Sequence, residues 1–153
     1  MVSPDTIPEY TLRPAAADDA RAIRQIIFTV RNNPLSLNWR RFILAVDREG
    51  KLIGCGQVKQ HRDGSHELAS IAVLPGWRGK GIAKAIISQL LLEHPGRIYL
   101  TCQSNLGPMY QKFGFQALQP AEMSTYFRRL NWIVASFNKI IHQPNRMLVM
   151  GRN

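Results

Sequence analysis

The residues Pro75-Gly-Trp-Arg-Gly-Lys-Gly-Ile-Ala83 place two cations and three glycines directly ahead of an apolar-striped segment. A glycine-rich turn that opens a helix presents unpaired N–H groups at the positive end of the helix dipole. Such a turn suits a phosphate or pyrophosphate. Arg78 and Lys80 add mobile positive charge, and Gly79 and Gly81 let the backbone approach a ligand closely. Two well-known phosphate loops are excluded by single residues. A Walker A loop needs Gly-x-x-x-x-Gly-Lys-Ser/Thr; Gly76 and Gly81 have the spacing, but Ile82 and Ala83 follow. A dinucleotide fingerprint needs Gly-x-Gly-x-x-Gly, whereas Gly79 and Gly81 lead to Lys84.

The pattern that fits is Arg/Gln-x-x-Gly-x-Gly/Ala, met by Arg78, Gly81 and Ala83 behind the strand-like Ile71-Ala-Val73. A second pattern is Asn105 followed by Tyr-x-x-x-Gly-Phe at Tyr110, Gly114 and Phe115. Together these residues resemble the acetyl-CoA site of the GNAT superfamily of N-acetyltransferases. The resemblance implies that Ile71, Ala72 and Val73 offer backbone groups to the pantetheine arm, with the Val73 N–H on the thioester oxygen or a pantetheine carbonyl. It implies that Arg78, Gly79, Lys80, Gly81, Ile82 and Ala83 take the pyrophosphate, and that Asn105 hydrogen-bonds the pantetheine. Tyr110 would then stand near sulfur as general acid, a role suited to a phenol whose reference pKa is about 10. Without the resemblance, Tyr110 packs its helix and the basic turn is a solvated strand–turn–helix.

Acetyl transfer from a thioester to an amine needs a neutral amine, a polarised carbonyl and a protonated leaving thiolate. It needs no covalent nucleophile, so the lack of a Ser-His-Asp set is no objection. The resemblance makes Glu67 the candidate base. It lies six residues before Val73, which keeps strand parity and places both on one face if no bulge intervenes. The alternative is an ordinary exposed strand-end charge. Histidine is a residue type suited to acid–base work near neutral pH, but His61 and His66 sit in or beside a turn, where solvated histidines are commonplace, and Cys102 reads as a buried thiol.

These residues need a scaffold, and the periodicity supplies one. Strands are expected at Tyr10–Arg13, Phe42–Val46, Lys51–Val58, Glu67–Val73, Arg97–Cys102 and Gly114–Leu118, with a last edge strand at Arg146–Met150. Helical spacing runs through Ala20–Val30, Ile82–Leu91 and Asn105–Phe113, with a short helix expected within Leu35–Arg41. Ala16 stands where a hydroxyl cap is common, a loss of about 1 kcal/mol. Met123, Tyr126, Phe127, Leu130, Ile133, Val134, Phe137, Ile140 and Ile141 form a further stripe with Arg128, Arg129 and Lys139 off it. Packing onto the chain's own sheet is the leading reading of that stripe; a membrane surface or a second subunit in a homodimer is the alternative. The order of elements gives an α+β fold: a mixed, mainly antiparallel twisted sheet flanked by helices. The resemblance covers about residues 10–118, and 121–151 complete a single domain spanning 1–153.

The 153 residues suffice for a substantial core, and 45% hydrophobic content excludes wholesale disorder. Met1–Thr6 lacks a secretory pattern, and no apolar run approaches a membrane span. Two cysteines make neither a disulfide framework nor a metal-ligand spacing, so no metal is expected and a reducing cytoplasm fits. Twenty Lys+Arg against ten Asp+Glu give a net charge of +10, favouring anionic partners. The cations form no long run, so nucleic acid is not the expected partner. The reading is an N-acetyltransferase that uses acetyl-CoA as cosubstrate and acts on an amine-bearing small molecule, peptide or protein. The rival readings are a non-catalytic acyl-CoA-binding domain and, behind it, a basic nucleic-acid-binding protein.

Overall fold

Three-and-four spacing lays down the helices, whereas the central strands at Phe42–Asp47 and Leu52–Gln60 are continuous runs buried at nearly every position. A computed structural model describes residues 8–141 and 146–153; the opening Met1–Thr6 lies outside them. Among the described residues the strands are β1 (Tyr10–Pro14), β2 (Phe42–Asp47), β3 (Leu52–Gln60), β4 (His66–Val73), β5 (Ile98–Gln103), β6 (Gln116–Ala117) and β7 (Met147–Arg152). They form one seven-stranded mixed sheet in the order β1-β2-β3-β4-β5-β7-β6. The helices are α1 (Ala20–Thr29), α2 (Ile82–Glu93), α3 (Gly107–Gln111) and α4 (Thr125–Asn138). Pairing is antiparallel for β1–β2, β2–β3, β5–β7 and β6–β7, and parallel for β4–β5. The α+β, mainly antiparallel plan is as expected.

Two expectations are corrected. The last strand is internal, because β7 pairs with β5 on one side and β6 on the other. Its buried Val149, Met150 and Gly151 need cover that an edge does not give, and the two-residue β6 takes the edge. Residues 35–41 hold no α-helix: only a 3-10 turn at Trp39–Arg41 forms, capped by the Asn38 side chain accepting from the Arg40 N–H at 3.2 Å.

The chain divides into two compact units. The first runs up to Gln57 and takes in Ser70–Glu93. Here α1 buries Ile23, Ile26 and Ile27 against Phe42, Leu44, Val46, Cys55 and Ala72. On α2, Ile82, Ile86, Ile87 and Leu90 are buried. Gly54 and Gly56 on β3 let that helix lie close to the strand: a Cβ on Gly54 would sit 2.9 Å from Ile82 Cγ2. The missing hydroxyl at Ala16 is offset from the other side, since the Asp19 carboxylate accepts the Ala16 N–H at 2.7 Å. The same carboxylate accepts from both terminal nitrogens of the Arg13 guanidinium, Nη1 at 2.7 Å and Nη2 at 2.9 Å, and this pairing holds Asp19 below the usual carboxylate range.

The second unit comprises Val58–Ala69 and the residues from His94 onward. Its core gathers Tyr99, Met123, Phe127 and Val149, with the Tyr99 and Phe127 rings stacked at 4.8 Å. The N-cap residue of α4, Ser124, makes no side-chain cap bond. Asp63, in the β3–β4 turn, caps the helix instead by accepting the Tyr126 N–H at 2.8 Å. Burial pushes the Asp63 carboxyl up, but the Ser65 hydroxyl and the N–H groups of Tyr126 and Ser65 outweigh it and hold the group well below its ordinary value. Asp63→Ala should therefore cost about 1 kcal/mol, or about 2–4 °C in a thermal melt. A carboxylate depressed on folding stabilises above its unfolded pKa of about 3.9 and loses that contribution as pH falls through the folded value. The gap between wild type and variant should therefore narrow in acid. Equal melting temperatures at neutral pH would show that the cap contributes nothing.

Candidate active site

In the first unit, the candidate residues form one continuous stretch from β4 into α2. Ile71, Ala72 and Val73 end β4; Pro75–Trp77 make a 3-10 turn; α2 begins at Ile82. Gly79 and Gly81 adopt φ values of 79° and 77°, a left-handed backbone that glycine takes without steric cost. A Cβ at Gly76, Gly79 or Gly81 would meet nothing within 4 Å, so this turn is open toward its surroundings. The first turn of α2 has N–H groups without an i−4 partner, Ala85 N–H being bonded to Gly81 C=O at 3.0 Å. Arg78 folds back, its Nε donating to the Val73 carbonyl at 3.3 Å, and so ties the turn to the end of β4. Lys80 reaches Glu9 at 3.2 Å and lies 5.1 Å from the Trp77 ring centre; both charges of this pair are substantially exposed.

The strand that leads into this turn is held by residues the sequence reading did not single out. Ser70 has φ 58°, uncommon for a residue with a side chain, which interrupts the two-residue alternation along β4. Parity between Glu67 and Val73 therefore does not carry across Ser70, and the shared-face argument for Glu67 falls. Buried Gln57 donates to the Ser70 Oγ at 2.8 Å and to the Ser36 carbonyl at 3.3 Å. The Asn32 amide donates to the Ile71 carbonyl at 3.2 Å. These contacts are long-range, and only the bare presence of polar residues on an apolar strand signalled them.

In the second unit, Glu67 is 8% exposed rather than a free strand-end charge. Its Oε2 lies 2.6 Å from His61 Nε2, with both side chains largely buried. His61 in turn stacks on Tyr126 with ring centres 3.6 Å apart and meets Phe127 edge-on at 5.5 Å. Burial, then the Glu67 and Asp63 charges, raise the Tyr126 phenol above its ordinary value. The hairpin carries the pair: the His61 N–H bonds the Ser65 carbonyl at 2.9 Å, so residues on either side of the turn face each other. That closure was the signal available in the sequence for His61, which spacing placed only in a turn.

Asn105 lies in a 3-10 turn, Ser104–Leu106, directly after β5, and Tyr110 lies on α3. Tyr110 meets Phe115 edge-on at 6.2 Å. Burial, with the Cys102 charge adding to it, pushes the Tyr110 phenol up to about 12. Cys55 is buried and its thiol is pushed up to about 12 by burial, while Cys102 is half-buried rather than fully enclosed. Among the described residues no cluster of His, Cys, Asp and Glu has the arrangement of a metal site. Nor is any described helix long and apolar enough to cross a membrane.

Comparison with known proteins bears on the fold and on the family. The structure is similar to Rv2747 of Mycobacterium tuberculosis, solved with CoA and NLQ, at 20% identity and TM-score 0.69 over 93% of this chain and 98% of that one. It is similar to N-acetylglutamate synthase of Neisseria gonorrhoeae, solved with coenzyme A and N-acetyl-glutamate, at 16% identity and TM-score 0.68. That match covers 96% of this chain but only 35% of the synthase. Arabidopsis thaliana Naa50, bound to a bisubstrate analogue CoA-Ac-MVNAL, matches at 15% identity and TM-score 0.61 over 95% and 99% of the two chains. No curated protein gives a significant sequence match. At these identities the solved structures speak for the fold alone. The family model described as "Acetyltransferase (GNAT) domain" matches residues 38–117, more than half of the sequence and including β4, the glycine turn, α2 and Tyr110. This chain belongs to the GNAT acetyltransferase family.

Proposed function

We propose that this protein transfers the acetyl group of acetyl-CoA to a primary amine by direct attack in a ternary complex. The observation that carries the reading is the open turn from Arg78 to Ala83, with two left-handed glycines at the start of α2. The residues present fit a pyrophosphate: no side chain fills the turn, and backbone N–H groups and Arg78 supply charge and donors. Lys80 would join them by exchanging its exposed contact with Glu9 for the ligand. Ile71, Ala72 and Val73 would hold the pantetheine through backbone groups, and Asn105 through its side chain.

Acetyl-CoA brings the acetyl group as an activated thioester; the rest falls to the chain. Glu67 takes the proton from the attacking amine, directly or through a water. His61, hydrogen-bonded to its Oε2, keeps that carboxylate in one orientation. Tyr110 gives its phenolic proton to the departing sulfur. The positive surface favours an anionic acceptor over a polyamine, and the acceptor is a small metabolite, a peptide or a protein amino group.

A free-thiol assay with acetyl-CoA across a panel of amines and peptides tests the reading. CoA release that depends on an added amine is expected. Tight acetyl-CoA binding without release for any amine would replace it with a non-catalytic binding domain. Glu67→Gln should lower kcat/KM about 10–100-fold and flatten its rise with pH. A wild-type pH profile in that variant would remove Glu67 from the role of base.

A further inference from the structure

The α4 helix carries two apolar faces, and only one is used by the fold. Met123 and Phe127 are buried, and Leu130 packs beside them. Further along the helix Trp132 is 71% exposed, Phe137 62% and Ile140 80%, with Ile133 and Ile141 also exposed. Trp132, Ile133 and Ile140 share the side turned away from Met123 and Phe127, while Phe137 and Ile141 fall near the line of Leu130 but are themselves exposed, so the five form one exposed apolar band along the C-terminal half of the helix and the turn that follows it. Large apolar side chains left contiguous on a surface mark an interaction site.

Charge says what kind. From Met123 to Asn153 the sequence holds no Asp or Glu, but it holds Arg128, Arg129, Lys139, Arg146 and Arg152. At 100° per residue, Arg129 projects from the apolar side one turn before Trp132 and Ile133, and Lys139 flanks it beside Ile140. Both cations are exposed. A second copy of this chain is a poor occupant. A two-fold pairing of the face would bring Arg129 and Lys139 of both copies together, and this segment offers no acid to neutralise them.

We propose that the outer face of α4 is a docking surface for an anionic lipid bilayer. The helix lies in the plane of the interface with Trp132, Ile133, Phe137, Ile140 and Ile141 in the headgroup–acyl boundary. Arg129 and Lys139 rest among the anionic headgroups, their stems along the apolar layer. The surface rests on α4 alone and is independent of the catalytic reading.

Vesicle co-sedimentation of the full chain tests it, using phosphatidylcholine alone and phosphatidylcholine containing phosphatidylglycerol. Binding to the anionic vesicles is expected, weakening with added salt. Trp132→Ser with Phe137→Ser should weaken it about tenfold or more by removing inserted apolar surface. Arg129→Glu with Lys139→Glu should weaken it by about tenfold or more through charge alone. All four positions are exposed, so the variants should keep the wild-type circular dichroism spectrum. The proposal is overturned by three outcomes: no binding to either vesicle, binding indifferent to charge reversal, or a dimer that both double variants dissolve without any vesicle binding.

Discussion

Gly56→Val is expected to abolish the folded state of this protein. A Cβ at Gly56 would sit 2.6 Å from Ile71 Cδ1, 2.7 Å from Ile86 Cγ2 and 3.1 Å from Leu90 Cδ1. Ile71 is partly exposed and can swing its terminal methyl away. Ile86 cannot, because its Cγ2 branches next to the backbone and the side chain is wholly buried on α2. Alanine at this site forces Ile86, and α2 with it, outward by about 0.7 Å to bring the 2.7 Å approach to an ordinary contact of 3.4 Å, at a cost of about 1–3 kcal/mol. Valine adds two further carbons to the same gap, and the loss then approaches the whole stability of a typical domain, about 5–15 kcal/mol. Urea denaturation should show Gly56→Ala with a lowered midpoint and Gly56→Val without a cooperative transition. Trimming Ile86 to Ala in the Gly56→Ala background should be less damaging than the two single losses added together, since the pair shares one gap. A melting temperature for Gly56→Val within a few degrees of wild type would refute the close-packing account.

The consequence reaches the site. Gly54 and Gly56 bring α2 close to β3, and the N-terminus of α2 is the end at which the Arg78–Ala83 turn presents its N–H groups. Losing the close approach would thus loosen the proposed pyrophosphate cradle even where the chain still folds.

The parts that the sequence made legible are those written in local spacing. The stripe Ile82, Ile86, Ile87, Leu90 gave α2, and a glycine turn between an apolar strand and that stripe gave the family. What stayed hidden depends on partners distant in sequence. Ser70 takes a left-handed backbone while Gln57 and Cys55 bond to its Oγ and carbonyl, and no local pattern around Ser70 announces it. Asp63 caps a helix that begins some sixty residues later, at Thr125. The placement of β7 between β5 and β6 is a matter of topology, since an apolar strand reads alike at an edge or inside when its run is short. The α4 stripe was visible but merged two faces into one, because Phe127 and Phe137 both satisfy a helical spacing, while burial separates them. Trp132 falls outside that stripe at 100° per residue, and its exposure is what joins it to the outer apolar band.

Tyr110→Phe should lower kcat by about 10²–10³-fold while leaving the Kd for acetyl-CoA within about twofold of wild type. The substitution isolates one oxygen: phenylalanine keeps the edge-on contact with Phe115 and the packing of α3. Burial and the Cys102 charge hold the Tyr110 phenol up at about 12, so the proton stays on oxygen throughout the neutral range. A general acid must carry its proton when the leaving group departs, and this environment ensures that it does. The sign of the pH dependence follows. Deprotonation would set in only near pH 12, so no alkaline fall in kcat should arise from Tyr110 below about pH 11. The acid and base variants should then part company: Glu67→Gln changes the slope of the pH profile, whereas Tyr110→Phe lowers the whole curve without moving it. A Tyr110→Phe enzyme at wild-type rate would confine Tyr110 to packing. A fall in acetyl-CoA affinity equal to the fall in rate would make its hydroxyl a binding group and leave the sulfur to be protonated by solvent.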